Sequence, residues 1–290
     1  DGCRSNQPWC LSISFNAPHA RDGQRREFEP DPRDESVHAN QVLPLPALAS
    51  EVAHERLPPI LRQTNSEARA RWDRRFATPD LAQRTVRDYY RLIAGVDREI
   101  GRLIARLEQT GLATNTVVIF TSDNGFALGD RGLADKWFAY EEDIRVPLLI
   151  ADLRQPRSRN ETAMALNIDI APTLLDYAGV AVPAAMQGRS LRRFAEGRRV
   201  HDWRGDWVYE HHFSNHGSIP QTEGVRTARW KYIRYVDASP VAEELFDLRR
   251  DPLESRNLAQ EPRHRRSLES LRARWATLVG ELADVNASRD

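Results

Sequence analysis

The run Thr116-Val-Val-Ile-Phe-Thr-Ser-Asp-Asn-Gly125 constrains this chain more than any other stretch. Val117 to Phe120 are apolar and mostly β-branched, which reads as a buried strand, and the run stops at Asp123, Asn124 and Gly125. In open α/β sheets ligands sit outside the carboxyl ends of the strands. A carboxylate and an amide oxygen at such an end are hard-cation ligands, and Gly125 lets the backbone turn away from them. Asp-Asn-Gly is equally a common turn string, so the dipeptide alone supports a plain turn as well as a metal site. Lys136 follows eleven residues after Gly125, in Asp135-Lys-Trp-Phe-Ala-Tyr-Glu-Glu142.

The bulk properties narrow the function class. At 290 residues the chain is long enough to bury one large core, or one and a half domains. Forty-two basic residues balance forty-two acidic ones, so no electrostatic argument favours nucleic acid or a membrane surface. No apolar run approaches the ~18 residues that span a bilayer. The opening Asp1-Gly-Cys-Arg-Ser carries neither a start Met nor a signal peptide, which reads as the C-terminal part of a longer protein. Cys3 and Cys10, spaced C-x6-C, do not make a zinc site; one disulfide and two plain thiols both remain open.

Along the chain, Trp9 to Phe15 is a strand candidate that ends at Asn16-Ala-Pro-His19. Residues 21 to 82 are charged and proline-rich, an ordered excursion with short helical pieces. Apolar residues recurring at three and four from Val86 to Leu107 predict an amphipathic helix, stopped by Gly111 and leading into the Val117 strand as an α–β unit of a parallel sheet. Val146 to Ala151 is a second buried strand, and Ile168 to Gly179 a short helix. Beyond residue 195, Trp207–Glu210, Gly224–Thr227, Lys231–Tyr235 and Glu244–Leu248 are short strands without intervening helices, which argues for a small antiparallel sheet. A last helix, Pro262 to Leu282, packs across it. The fold class is therefore α/β: a partial mixed or parallel sheet flanked by helices, with a small C-terminal antiparallel sheet plus helix. The expected division is 1–195 and 196–290.

Three runs, taken in order, carry a family resemblance: Tyr90-Arg-Leu-Ile-Ala-Gly-Val-Asp-Arg-Glu-Ile-Gly-Arg-Leu, Val118 to Gly125, and Leu133 through Lys136 to Leu149. Together with Asn16-Ala-Pro-His19, Asp169 to Gly179, Lys231-Tyr-Ile, Glu244 to Pro252 and Asn257-Leu, they resemble the C-terminal half of a formylglycine-dependent sulfatase of the alkaline phosphatase superfamily. The likeness spans nearly the whole chain except roughly residues 21 to 80. It implies that Asp123 and Asn124 are two ligands of a single Ca²⁺ that holds the sulfate oxygens, the other ligands and the formylglycine nucleophile lying in an N-terminal part. It implies that Lys136 binds the sulfate and that His19 contacts the sulfate or assists the leaving group. Lys136 is one of only two lysines, with Lys231, against forty arginines. His211 and His212 are candidates for substrate contact, as are, more weakly given forty arginines, Arg226 and Arg229. Arg145 is placed to pair with Glu141 or Glu142 and hold the Lys136 segment.

The sequence departs from the family at Cys3-Arg-Ser-Asn-Gln7, which does not match Cys-x-Pro-Ser-Arg, so the nucleophile is absent and this chain is expected not to turn over a sulfate ester by itself. Arg131 stands where many relatives carry His, which keeps the charge but not the proton transfer. The Asp135–Arg145 stretch and the Tyr209–Arg226 region look most like N-acetylglucosamine-6-sulfatase-type enzymes, implying a sulfated carbohydrate or another small sulfate ester as partner. Export to the periplasm, outside or lysosome is expected by analogy. Two alternatives stand beside this: a two-zinc phosphatase or phosphodiesterase of the same superfamily, against which Asn124 argues because that chemistry wants Asp-His there, and a non-catalytic remnant or sugar-binding module.

Overall fold

The computed structural model describes residues 8–155 and 158–287. The helices are α1 (Glu51–Glu55), α2 (Glu67–Phe76), α3 (Pro79–Gln109), α4 (Glu141–Ile144), α5 (Ile170–Tyr177), α6 (Arg192–Ala195) and α7 (Arg265–Ala287). The strands are β1 (Val117–Thr121), β2 (Ala127–Leu128), β3 (Ala134–Asp135), β4 (Leu148–Asp152), β5 (Asp206–His211), β6 (Thr222–Thr227), β7 (Trp230–Tyr235) and β8 (Ala242–Asp247). Two compact units result: Asp1–Pro44 with Thr78–Gly111, and Leu45–Ala77 with Leu112–Asp290.

The first unit is helix α3 with the preceding loop laid against it. The helix begins seven residues earlier than its apolar period indicates. Thr78 caps it by accepting from the Leu81 N–H, and Pro79 occupies the first turn where its missing N–H costs nothing. The loop is ordered by polar contacts. Arg26 forks onto Asp88 at 2.7 Å through two nitrogens and reaches Glu35 at 2.6 Å; Arg91 reaches Glu35 at 2.6 Å; Gln83 and the Leu43 main chain exchange hydrogen bonds of 2.8 and 2.9 Å. The expected strand from Trp9 to Phe15 does not form. The segment has no ladder partner among the described residues, and Trp9, Leu11, Ile13 and Phe15 are all exposed.

The second unit holds the sheets. β1 pairs antiparallel with β4, from Val117 opposite Asp152 to Thr121 opposite Leu148. The chain thus has the mixed α/β character its pattern predicts, but the expected parallel α–β pairing of β1 is not made among the described residues. The C-terminal sheet is antiparallel in the order β5-β6-β7-β8, as expected. Val225, Tyr232 and Leu245 stand opposite one another on one face and bury Leu268, Leu271 and Trp275 of α7. On the other face, Ile233, Tyr235 and Phe246 pack against Leu133, Phe138 and Tyr140, together with Leu57 and Leu61. The segment around Lys136 is therefore fastened to this sheet.

Charged groups lie inside that second face. Lys231, 1% exposed, is 2.9 Å from Glu141 and 2.6 Å from Glu254. Arg131 stacks 4.1 Å over the Tyr140 ring, pairs with Glu142 and donates to the Leu253 carbonyl at 2.6 Å. Tyr140 and Tyr235 both donate to Glu244 at 2.7 Å. Burial pushes the Glu244 carboxyl up to about 7, against the two phenolic donors. Glu141 goes the other way: burial opposes its charge, but Lys231 and Arg226 outweigh this and hold it down at about 2.

β1 ends because the backbone turns at Asp123-Asn124-Gly125 onto α4. Gly125 donates to the Asp143 carbonyl and Phe126 to the Glu142 carbonyl, both at 2.7 Å. A Cβ on residue 125 would lie 2.1 Å from the Glu142 carbonyl oxygen, so only glycine fits. Gly125→Ala is therefore expected to cost about 1–3 kcal/mol, read as a lower urea midpoint; an unchanged midpoint would mean that the turn does not depend on this approach. A second expectation concerns pH. A raised folded-state pKa gives stability that is full below the unfolded value and lost as pH rises through about 7. Glu244→Gln should thus gain on the native chain between pH 5 and pH 8, by up to about 3 kcal/mol, in paired urea titrations. A difference that stays flat across that window would show that Glu244 is charged throughout.

Candidate functional site

The turn after β1 carries the candidate ligands at the surface. Asp123 is exposed and Asn124 half-buried. Asp123 Oδ1 accepts from the Asn124 N–H at 2.9 Å and the Ser122 hydroxyl at 3.3 Å. The Asn124 amide donates to the Gly125 carbonyl at 2.7 Å, which leaves its oxygen without a partner among the described residues. Asn167, not anticipated from the sequence, ties the loop down by donating to the Ser122 and Asp123 carbonyls at 3.2 and 3.0 Å. No pattern around Asn167 marks it, because its role comes from main-chain contact 44 residues away.

This donor set suits a hard divalent cation as part of its sphere. Asp123 keeps one carboxylate oxygen outside the turn's own bonds, and Asn124 offers an amide oxygen beside it. A Ca²⁺ needs six to eight oxygens. Among the described residues, no group of three or more His, Cys, Asp or Glu side chains is arranged to hold a metal. The two candidate oxygens would fit a calcium and would not complete its coordination.

Lys136 is half-buried and makes no ion pair or side-chain hydrogen bond to any described residue. Its neighbours are fixed on both sides. Asp135, 4% exposed and at a φ of +78°, is 2.6 Å from Arg71 and 3.0 Å from Arg75. Such a backbone persists only where its surroundings over-determine it. On the other side, the N–H groups of Trp137 and Phe138 donate to Asp143 Oδ2 at 3.2 and 3.0 Å. A lysine with no side-chain partner between two anchored residues is a compact positive charge.

The remaining candidates separate. His19 lies in the first unit, exposed, with Nδ1 2.7 Å from the Ala20 carbonyl oxygen. His211 closes β5 two residues beyond Tyr209, on the same strand face. Tyr209 packs near Phe138 and Tyr140, and the Asp143 charge adds to burial in raising its phenol. His211 is half-buried with Nδ1 unpartnered among the described residues, and burial, followed by the His212 charge, lowers its pKa against a raising main-chain hydrogen bond. His212 is exposed, 3.1 Å from Glu223. Cys3 lies outside the described residues, and Cys10 is exposed.

Three expectations are redirected by long-range partners. Arg226 pairs with Glu141, at 3.2 and 3.3 Å, and donates to the Thr227 carbonyl at 2.7 Å, so it braces the ion cluster. Arg229 likewise forks onto Asp247. Arg145 is exposed, and its side chain pairs with neither Glu141 nor Glu142, whose charges are met by Lys231 and Arg226, and by Arg131. Arg131, where a proton donor was in question, is 3% exposed and bound within that cluster.

Comparison with known proteins bears on this geometry. Residues 3–180 match the Sulfatase family model, and residues 129–280 match the C-terminal model of N-sulphoglucosamine sulphohydrolase. The N-acetylglucosamine-6-O-sulfatase of Bacteroides thetaiotaomicron is 31% identical over 87% of the chain and 54% of its own length. A solved structure described as a complex with its substrate D-glucosamine-2-N,6-O-disulfate superposes with a TM-score of 0.70 at 28% identity, over 94% of the chain and 65% of that one. A phosphonate monoester hydrolase from Silicibacter pomeroyi superposes with a TM-score of 0.69 at 30% identity, over 80% and 49%. The chain spans about half the length of the curated relatives it matches. With a matched family model covering more than half its residues, the chain belongs to the sulfatase family.

Proposed function

We propose that this chain supplies the cation-and-lysine side of a site that hydrolyses sulfate esters, with a sulfated amino sugar as the substrate class. The observation that carries the reading is the pairing of an oxygen-ligand turn at Asp123 and Asn124 with an unpartnered Lys136, both tied to the same Glu142–Asp143 segment. Ca²⁺ bound at the turn would neutralise charge on the sulfonyl oxygens. Lys136 places a second positive charge on the sulfate, where it counts most as the ester bond to the leaving oxygen breaks. His211 can contact sugar hydroxyls as donor or acceptor, with His212 beside it. Residues 1–195 belong to the catalytic α/β domain in this reading, and 196–290 form the small C-terminal subdomain.

Because Cys3-Arg-Ser-Asn-Gln7 lacks the nucleophile motif, the chain by itself binds without turning over. The likeness to a phosphonate monoester hydrolase supports a second reading, in which the same positive side takes a phosphonate monoester. Asn124, an amide where a zinc pair would want imidazole, favours calcium and sulfate.

Titration calorimetry with N-acetylglucosamine 6-sulfate tests the reading. Binding should require Ca²⁺, vanish in Asp123→Ala, and weaken about tenfold in Lys136→Ala, in keeping with the loss of one charge-assisted contact. Lys136→Ala should leave the melting temperature within about 2 °C, since the side chain has no partner to lose. Calcium-independent binding, or variants that bind like the native chain, would refute the assignment; stronger binding of a phenyl phosphonate monoester would favour the second reading. Release of free sulfate by the chain alone would contradict the absence of a nucleophile.

A further inference from the structure

Asp143 belongs to an acidic run, Glu141-Glu-Asp143, that reads as a solvated helix face, yet it is 4% exposed. Its side chain points away from solvent and back along the chain. Oδ2 accepts from the main-chain N–H groups of Trp137 and Phe138, the two residues that follow Lys136. Its main-chain carbonyl accepts at 2.7 Å from Gly125, the residue that follows Asp123 and Asn124. Side chain and main chain of one residue thus grip the two segments that bear the candidate ligands. Oδ1 is buried and has no hydrogen-bond partner. Burial pushes the carboxyl up to about 7, opposed by the two N–H donors and by Arg131, while Asp130 adds to the rise; Tyr209 faces it from β5.

We propose that Asp143 is the positioning residue of this site, holding Lys136 and the Asp123–Asn124 turn in one register through its carboxylate and its carbonyl. The alternative, a carboxylate that simply stabilises α4, does not account for the contacts. The bonds reach Trp137 and Phe138, which precede the helix, and not the first free N–H groups of α4 itself. The Lys136 segment is anchored upstream through Asp135 and downstream through Asp143, and nothing among the described residues holds the Lys136 side chain. The functional meaning rests on the reading of Lys136 as a sulfate ligand; the geometry does not.

The lysine content makes the test clean. Lys136 and Lys231 are the only lysines, and Lys231 is 1% exposed between Glu141 and Glu254. Amine acetylation rates at the two positions, read by peptide mass spectrometry from pH 7 to 10 with no sulfate or metal present, separate local release from general unfolding. In Asp143→Ala, Lys136 should be labelled at least threefold faster, with a shifted pH profile, while Lys231 stays protected. In Asp143→Asn, whose amide oxygen accepts from the same two N–H groups, the Lys136 rate should return to within twofold of the native chain. An unchanged Lys136 rate in Asp143→Ala, with Lys231 protected, would overturn the proposal. So would simultaneous release of both lysines, which would make Asp143 a prop of the whole unit, or an asparagine variant that behaves like alanine, which would place the effect in the charge. Since no sulfate is present, a failure here is distinct from a failure of the sulfate reading, which the calorimetry addresses.

Discussion

The second unit depends on one buried ionic junction. Lys231 of β7 reaches Glu141 and Glu254, Arg226 of β6 shares Glu141, and Arg131 takes Glu142 while stacking on Tyr140. Desolvating so many charges is costly, and a well-packed apolar replacement is often no less stable. The arrangement is better understood as a device for register. Charges so placed are satisfied in one alignment only, and a slip of the 131–145 segment against β6 and β7 would leave buried charges unpaired. Arg131 and Glu254 both sit at positive φ, a conformation kept by the contacts around it.

That alignment is what gives the site its geometry. The junction fixes Glu141 and Glu142, hence α4, and α4 presents the carbonyls on which Gly125 and Phe126 close the turn after β1. The turn then exposes Asp123 and Asn124 while Asn167 secures it from behind. From the same helix, Asp143 fastens Trp137 and Phe138, so Lys136 emerges from a segment fixed at both ends. In the proposed reading this is where an anion and a hard cation are received, and two oxygens are a fraction of what calcium takes.

Much of this was legible in the sequence, for identifiable reasons. The β1 end was readable because an apolar run broken by Asp-Asn-Gly has few other interpretations, and β5 to β8 because short apolar runs with turn residues between them leave no room for helices. The start of α3 was missed because Pro79 to Thr85 carry little apolar periodicity; only the cap at Thr78 marks it. Among the described residues β1 pairs antiparallel with β4 and not in parallel, because apolarity reports burial and not the direction of the neighbouring strand. Arg145 was matched to the glutamates nearest in sequence, whereas Lys231 and Arg226 arrive from about 90 residues away. The pairing of Arg226 with Glu141 is likewise visible only once the sheet has formed. Asp143 was invisible, since burial of the third acid in Glu-Glu-Asp is a property of the fold.

The central claim is that the Asp123–Asn124 turn and Lys136 act on one bound sulfate. Binding linkage tests it most directly, because two ligands that share a site alter each other's affinity by the same factor. Calcium titrated into the protein with and without saturating N-acetylglucosamine 6-sulfate should bind more tightly in its presence, and the sugar sulfate should gain by an equal factor from calcium. A calcium affinity indifferent to the sulfate ester would contradict the account.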